Sequence, residues 1–163
     1  MRFLHFLSRA GRKVIAHPVE AWLSARMAVW VCVLSLAVKA RPLPSALRML
    51  SARTKPPTGR SRQEIEEALV RAVDPLLATG LLCFRPICWK RAAILHRYLA
   101  LNGITTRIVF GMKKAADGTL TGHAWLEADG MPILESIAPD YTVTYTFPSR
   151  DQFNINLASV VGS

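Results

Sequence analysis

Two residues of this 163-residue chain occupy positions that favour nucleophilic chemistry, a cysteine and a histidine. Cys88 comes just after Pro86, and proline suits the entry of a helix but not its interior, so the cysteine falls in a first helical turn. A thiol there faces unpaired backbone N–H groups and the positive end of the helix dipole, both of which stabilise a thiolate. Lys90 and Arg91 add positive charge nearby. Cys88 is therefore a candidate nucleophile, and a buried structural cysteine is the alternative.

His123 lies in the strand-like segment Gly122-His-Ala-Trp-Leu-Glu127. A histidine on a strand can accept the proton of a thiol at a helix start, and an acid must then fix its tautomer. Two glutamates compete for that role. Glu127 is on the same face but four strand residues away, about 13 Å, which is too far. Glu135 is the other candidate.

The register of the next hairpin decides whether Glu135 can reach His123. A three-residue loop over 128–130 is a standard connection. It places the two residues opposite each other with Cβ atoms about 5 Å apart. A two-residue Asp129-Gly130 turn would instead pair His123 with Ser136 and send Glu135 to the other face. We therefore predict the three-residue loop as the condition for a catalytic triad.

Helices followed by strands must position these residues. Ser61 to Glu64 forms a capping box ahead of an amphipathic helix of roughly four turns. A second helix begins near Cys88 and ends at Asn102-Gly103, a pair typical of helix C-termini. Three strands follow, over residues 104–111, 119–127 and 131–137. This order predicts an α+β fold with an antiparallel sheet.

Charge divides the chain into two unequal parts. Residues 1–62 contain 12 Lys and Arg and one acid, Glu20, a net charge of +11, whereas residues 63–163 have 9 basic and 10 acidic residues, a net charge of −1. This division argues against a uniformly basic nucleic-acid-binding domain, and we expect no nucleic-acid partner. The 51% hydrophobic content excludes disorder. Three cysteines, an odd number, favour a reducing cytoplasm over a disulfide framework.

The basic N-terminal part is predicted to be helical. Basic and apolar residues interleave before His17-Pro18, and a second helix runs from Glu20 to about Ala40. Its segment from Met27 to Val38 is apolar on every side except at Ser35, which predicts burial in protein or membrane. This apolar run is shorter than the roughly 20 residues of a membrane span. A buried helical appendage, a membrane-surface helix and a signal peptide stay open as interpretations.

Together these segments resemble the B-type leader peptidases of lasso-peptide biosynthesis, which are cysteine peptidases of the transglutaminase-like superfamily. The resemblance covers about residues 61–147. Its motifs are Cys88-Trp-Lys-Arg-Ala-Ala, Leu-Asn-Gly103-Ile, Ile108-Val-Phe-Gly-Met112, His123-Ala-Trp-Leu-Glu127 and the acid at 135. It implies Cys88 as nucleophile, His123 as general base and Glu135 as the acid that orients His123. The implied fold is a papain/transglutaminase-like core, with the nucleophile at a helix N-terminus packed against a small antiparallel sheet.

The implied function is removal of the leader from a ribosomally made lasso-peptide precursor. The freed core N-terminus would pass to a separate ATP-dependent cyclase that closes a macrolactam. Residues 61–163 would form the peptidase domain, and residues 1–60 a basic and apolar helical segment with a linker. Because residues 1–60 do not resemble the leader-recognition domain of some relatives, a separate leader-recognition protein is implied. We expect a cytoplasmic protein without a cofactor, with peripheral association at the inner membrane as an alternative.

Three residues near the motifs are candidate substrate contacts: Trp89, Arg91 and Trp125. Trp89 stands where smaller aliphatic residues are usual in the family. Arg91 has the alternative role of holding a carboxylate, and Trp125 that of packing beside the histidine. Two other functions stay open. The first is another thiol acyl-transferase of transglutaminase type, and the second is a non-catalytic scaffold that docks precursor, partner or membrane.

Two further groups of residues are not expected to form a functional site. A zinc site formed by Cys83, Cys88 and His123 lacks the paired ligand spacing that seeds such sites, so we expect no metal. His96, in the middle of the second helix, is expected to be an exposed or partly buried bystander.

Overall fold

The structure, a computed structural model, describes residues 18–56, 59–80, 87–135 and 137–149. Within these ranges an antiparallel four-stranded sheet packs with four helices. The helices are α1 (Pro18–Ala40), α2 (Leu43–Leu50), α3 (Arg62–Ala78) and α4 (Cys88–Ala100), and the strands are β1 (Arg107–Lys114), β2 (Leu120–Ala128), β3 (Met131–Ile133) and β4 (Thr142–Phe147). The predicted α+β class is confirmed. The predicted helix before His17 and the residue Cys83 lie outside the described ranges.

The capping box predicted for α3 is present. The backbone N–H of Glu64 donates to Ser61 Oγ at 3.2 Å, and the N–H of Ser61 donates back to Glu64 Oε2 at 3.0 Å. These bonds satisfy two of the donors that a helix start leaves unpaired. The helix buries one apolar stripe, made of Ile65, Leu69, Ala72, Val73 and Leu77. Its opposite face is charged and solvated, as the sequence pattern predicts.

Helix α4 lies at the centre of the fold. Its residues from Ala92 to His96 are all buried, so it contacts neighbours on every side. It ends as predicted, because Gly103 takes a left-handed φ of 84° and its N–H donates to Ala100 O at 3.1 Å. Such a left-handed residue satisfies the carbonyls that a helix end leaves free.

The expectation for His96 was wrong. Its side chain is buried, with Nδ1 2.9 Å from Thr106 Oγ1 and the ring in a T-shaped arrangement with that of Phe147. Burial disfavours the charged imidazolium and lowers the pKa of His96 to about 4. His96 is therefore a neutral core residue.

The sheet has the strand order β3-β2-β1-β4. Strand β1 pairs antiparallel with β2 over its whole length, and Gly111 is opposite His123. Strand β4, which the sequence analysis did not predict, pairs with the other edge of β1 through Ile108 and Phe147. The alternation of threonine with larger residues in Thr142–Phe147 is nonetheless typical of a strand. Strand β3 is shorter than predicted and ends at Ile133.

Helix α1 packs against α3 and α4, helix α2 packs against α1 and α4, and both contribute to the same buried apolar cluster. In α1 the fully covered side chains are Met27, Val31 and Leu34. Arg97 of α4 links the segments, because its Nη1 donates to Leu50 O at 2.8 Å and its guanidinium lies 3.7 Å from the ring centroid of Trp30. The division at residue 60 stays a prediction, since shared packing does not say whether either part folds alone.

Burial was predicted for the apolar run of α1, and this holds for one face only. Val29 and Leu36 on the opposite face are 61% and 66% exposed. By length and composition, the 21 residues from Glu20 to Ala40 are apolar enough to cross a membrane. The core helix of a soluble protein can pass the same test.

Candidate active site

Cys88 is the first residue of α4, as its position after Pro86 predicts. Ile87 is the N-cap in an extended conformation, and its carbonyl accepts from the N–H groups of Lys90 and Arg91 at 3.0 and 3.3 Å. In a helix start of this kind the first N–H groups have no partner within the helix. The thiol of Cys88 is free and partly exposed. It therefore lies at the positive end of α4 and is open to reactants.

His123 and Glu135 are in contact. Nε2 of the histidine is 3.2 Å from Oε2 of the glutamate, and both side chains are partly buried. A carboxylate only accepts, so Nε2 carries the proton in the neutral imidazole. That tautomer leaves Nδ1 as the nitrogen that can accept a proton from elsewhere.

One cavity of about 340 Å³ brings the three predicted residues together. Cys88 reaches it from the start of α4, His123 from β2, and Glu135 from the segment after β3. The remaining wall is largely apolar and consists of Arg91, Ala92, Ala124, Leu126, Ile133 and Leu134. A thiol, an imidazole and an orienting carboxylate around one cavity can carry out acyl transfer through a thioester.

The hairpin prediction was wrong, yet the predicted contact forms. Leu126 pairs with Ile133, so β2 and β3 are joined by the two-residue Asp129-Gly130 turn. Asp129 and Gly130 both have positive φ, 53° and 81°, as the type I′ turn favoured in two-residue hairpins requires. Continued pairing in this register would have sent Glu135 to the face away from His123.

Leu134 explains why Glu135 still reaches His123. The strand ends one residue earlier, and Leu134 takes a left-handed φ of 60°. Alternation of faces holds only while the backbone stays extended, so this one residue redirects the chain and returns the carboxylate to the histidine. Left-handed φ is costly for a branched side chain, and such strain is common at functional sites.

Arg91 holds the redirected segment in place. Its Nε donates to Asp74 Oδ1 at 2.7 Å and its Nη2 to Oδ2 at 3.3 Å, while Nη1 donates to Leu134 O at 3.2 Å. The same Nη1 is 3.9 Å from Glu135 Oε1. Arg91 thus connects α3, α4 and the acid, in agreement with the role of holding a carboxylate. Because it also lines the cavity, a substrate contact stays a prediction.

Aromatic rings support His123 from the side. Trp125 is 3% exposed, and its ring is nearly parallel to the imidazole, with centroids 6.1 Å apart. Tyr141 lies 5.5 Å from the same imidazole. Gly111 leaves room for both side chains, since a Cβ there would be 2.7 Å from Tyr141 Cβ and 2.9 Å from the Trp125 ring. Trp125 therefore packs beside His123, and its substrate contact stays a prediction.

Glu127 bonds to other partners, in agreement with the prediction that it lies too far from His123 to orient it. Its Oε1 accepts from Trp125 Nε1 at 3.1 Å and its Oε2 from Arg107 Nε at 2.7 Å. These bonds fix the indole that stacks on His123. Trp89 is partly buried and packs against the apolar core, with Lys90 Nζ 5.9 Å from its ring centroid. Substrate contact by Trp89 stays a prediction.

A second cavity of about 310 Å³ adjoins the first and shares His123 and Glu135 with it. Its other lining residues are Lys113, Ile137, Ala138, Pro139, Asp140 and Tyr141. Lys113 donates a hydrogen bond to Asp140 on the surface, and this bond, together with the opposite charges, raises the pKa of the lysine and lowers that of the aspartate. The histidine–glutamate pair thus borders two neighbouring cavities.

Sequence reasoning missed three residues that build the site: Asp74, Leu134 and Tyr141. Nothing in their local sequence sets them apart, because each acts through a neighbour from another element. Gly111 was noted only as part of a strand, although glycine within a strand often marks the close approach of another group. In the described ranges no three His, Cys, Asp or Glu side chains are grouped to hold a metal.

Comparison with known proteins gives one match. A family model described as the transglutaminase-like superfamily matches residues 28–147, which contain Cys88, His123, Glu135 and the second half of α1. No curated protein matches the chain, and no solved structure does so. The matched region begins before the predicted boundary at residue 60.

Proposed function

The chain belongs to the transglutaminase-like superfamily, and from this membership together with the resemblance of its motifs we propose that it is a cysteine peptidase that removes the leader of a lasso-peptide precursor. Transglutaminase-like domains are associated with cysteine peptidase or acyl-transferase activity. The finer assignment rests on the resemblance of the segments around Cys88, His123 and Glu135 to the B-type leader peptidases.

One observation carries the proposal. Cys88, at the start of α4, shares a cavity with His123, whose Nε2 is 3.2 Å from Glu135. The nucleophile comes from α4, the base from β2 and the orienting acid from the segment after β3. Such convergence of chemically matched groups in one cavity is what a thiol acyl-transfer site needs.

The reaction begins with a proton transfer. Nδ1 of His123 accepts the proton of the Cys88 thiol, and the thiolate attacks the carbonyl at the leader–core junction. Glu135 accepts the Nε2–H bond throughout and stabilises the imidazolium that forms. The backbone N–H of Cys88 donates to the oxyanion, because this N–H has no partner within the helix.

Collapse of the tetrahedral intermediate separates the two peptides. The C–N bond breaks, His123 gives its proton to the leaving amine, and the leader remains bound to Cys88 as a thioester. Water, deprotonated by His123, then hydrolyses the thioester and restores the thiol. The core peptide leaves with a free N-terminus, the group that a separate ATP-dependent cyclase would join in a macrolactam.

The two adjoining cavities suit a peptide substrate. The scissile carbonyl belongs at Cys88 in the first cavity, and the pair that His123 forms with Glu135 borders both cavities. An extended peptide can therefore occupy both sides of the reacting bond. A separate leader-recognition protein would deliver the precursor, as the resemblance implies.

The test is cleavage of a leader–core precursor peptide of the lasso class, with and without an added leader-recognition protein. Cys88→Ala should abolish cleavage, because among the described residues that line the cavity Cys88 alone carries a thiol that can form the thioester. Cys32→Ala is the matched control, since Cys32 is a partly buried cysteine on α1, far along the sequence from the site. Unchanged cleavage by Cys88→Ala would reject the catalytic assignment.

Product analysis separates peptidase from transferase. Mass spectrometry of a peptidase reaction finds leader and core whose masses sum to that of the precursor plus one water. A transglutaminase-type reaction with added dansylcadaverine would give an intact precursor carrying the amine with loss of ammonia. If Cys88 is needed for the second product and the first is absent, the superfamily chemistry stands and the leader-peptidase proposal fails.

A further inference from the structure

The outer face of α1 carries an apolar stripe that nothing in the described structure covers. We call this stripe the outer stripe. Its residues recur every three or four positions along the helix and are Trp22, Ala25, Val29, Val33 and Leu36. Trp22, Val29 and Leu36 are 66%, 61% and 66% exposed, Ala25 is exposed, and Val33 is partly buried. At 1.5 Å per residue the outer stripe is about 21 Å long. Exposed apolar side chains aligned in this way indicate an interaction surface.

The opposite face of α1 fixes the helix on the body. Met27, Val31 and Leu34 are completely covered by the core. Crossing a membrane would remove these side chains from the protein that packs against them, even though the helix is long enough. The helix therefore presents the outer stripe while lying flat on the domain.

Basic side chains accompany the outer stripe. Arg26 is exposed beside it, and Lys39 and Arg41 are exposed at its C-terminal end. Glu20 is the only acidic residue of α1 and α2. Arg41 also reaches towards Met49 of α2, a further exposed apolar residue, with Nη1 3.7 Å from its Sδ. The surface is thus apolar along its middle and cationic at its margins.

We propose that the outer stripe docks the protein on an anionic membrane surface. Such a surface offers a layer of negative charge above an apolar layer, which matches basic margins around an apolar centre. Tryptophan favours the membrane interface, where its ring is partly buried and its N–H stays hydrated. A second copy is disfavoured as the occupant because two equally basic faces repel each other.

Vesicle sedimentation of the full chain tests the proposal independently of any peptidase activity. Vesicles of phosphatidylcholine with phosphatidylglycerol should retain the protein at least about tenfold better than phosphatidylcholine alone. The binding should weaken steeply with salt, because the basic margins act through screened charges. Retention after a high-salt and alkaline wash would mean insertion and would overturn the proposal.

Variants locate the contact. Trp22→Ser/Val29→Ser/Leu36→Ser should reduce affinity for the anionic vesicles about a hundredfold or more. The matched control changes three side chains of similar exposure on the sheet side, Leu120→Ser/Met131→Ser/Ile137→Ser, and should bind like the wild type. Circular dichroism checks that both variants keep the fold.

Two variants that remove basic charges complete the test. Lys39→Gln/Arg41→Gln should bind about tenfold more weakly, whereas Arg71→Gln/Lys114→Gln removes two exposed charges elsewhere and should bind like the wild type. Equal binding by the stripe variant and the wild type would overturn the proposal. So would a dimer, or a complex with an acidic protein, that forms through the outer stripe while the vesicles bind nothing.

Discussion

Two tryptophans show how differently the two regions of this protein are built. Trp125 beside the site is 3% exposed, donates a hydrogen bond to Glu127 and stacks on His123. Trp22 on α1 is 66% exposed. The site region depends on a few directed polar contacts between elements, whereas α1 depends on burial of one face and presents the other. We expect substitutions in the first region to change activity more than stability, and in α1 the reverse.

The largest effect should come from the acid of the site. Glu135→Gln keeps the shape of the side chain but removes the charge that stabilises the imidazolium and fixes its tautomer. We expect kcat/KM for precursor cleavage to fall about 10³- to 10⁴-fold, with the free energy of unfolding little changed. Glu127→Gln is the matched control, since Glu127 acts on His123 only through Trp125. Comparable losses in both variants would contradict the assignment of Glu135.

The buried face of α1 should control stability instead. Leu34→Ala leaves a cavity under α1, so we expect the free energy of unfolding to fall by about 2–5 kcal/mol. Leu36→Ala, two residues along on the exposed face, should cost less than about 0.5 kcal/mol. Denaturant titration of both variants measures the difference. A similar small loss in both would show that α1 is not part of the cooperative core.

The buried histidine couples stability to pH. The pKa of His96 is lowered to about 4 in the folded protein from 6.5, so the unfolded chain binds a proton that the folded one does not. The contribution of His96 to the free energy of unfolding is therefore fully present above pH 6.5. It falls by about 3 kcal/mol as the pH drops towards 4. Denaturant titrations across this range measure the slope. His96→Gln should make the profile flatter, and an unchanged slope would argue against a neutral buried His96.

Gly111, which contacts Trp125 and Tyr141, allows a test with a smaller expected effect of how these rings position His123. Gly111→Ala places a Cβ against Trp125 and Tyr141, the two rings that flank His123. We expect a loss of about 1–3 kcal/mol in stability and a lower kcat per folded molecule, because the rings must shift. Gly122→Ala in the partner strand, where a Cβ would approach only Gly111 O at 3.8 Å, is the control. Full activity of Gly111→Ala would show that the rings do not position the histidine.

The smallest effect should come from the turn that sets the register. Asp129 has a positive φ, which asparagine tolerates well in a type I′ turn followed by glycine. Asp129→Asn should therefore leave stability within about 0.5 kcal/mol of the wild type, even though it removes a charge 3.6 Å from Arg62. Thermal melts measure the change. A large loss would indicate that the ion pair, and not the turn, holds the hairpin.

Local signals predicted the elements well. The capping box at Ser61, the helix start at Cys88 and the left-handed Gly103 each depend on a few neighbouring residues, so the sequence determines them without long-range information. The strand Thr142–Phe147 had a recognisable pattern and was missed in the sequence analysis. The exposure of His96 was misjudged because helical position alone does not say how many neighbours surround a central helix.

The sequence by itself determined the α+β class, the placement of Cys88 at a positive helix end and the separation of basic from neutral charge. Only the tertiary structure decided how Glu135 meets His123. Simple strand pairing in the observed register would have separated them, and the contact depends on the left-handed Leu134, whose carbonyl is held by Arg91, itself bound to Asp74. A backbone conformation that is unfavourable locally persists only when contacts from distant elements stabilise it, and no local pattern reveals those contacts.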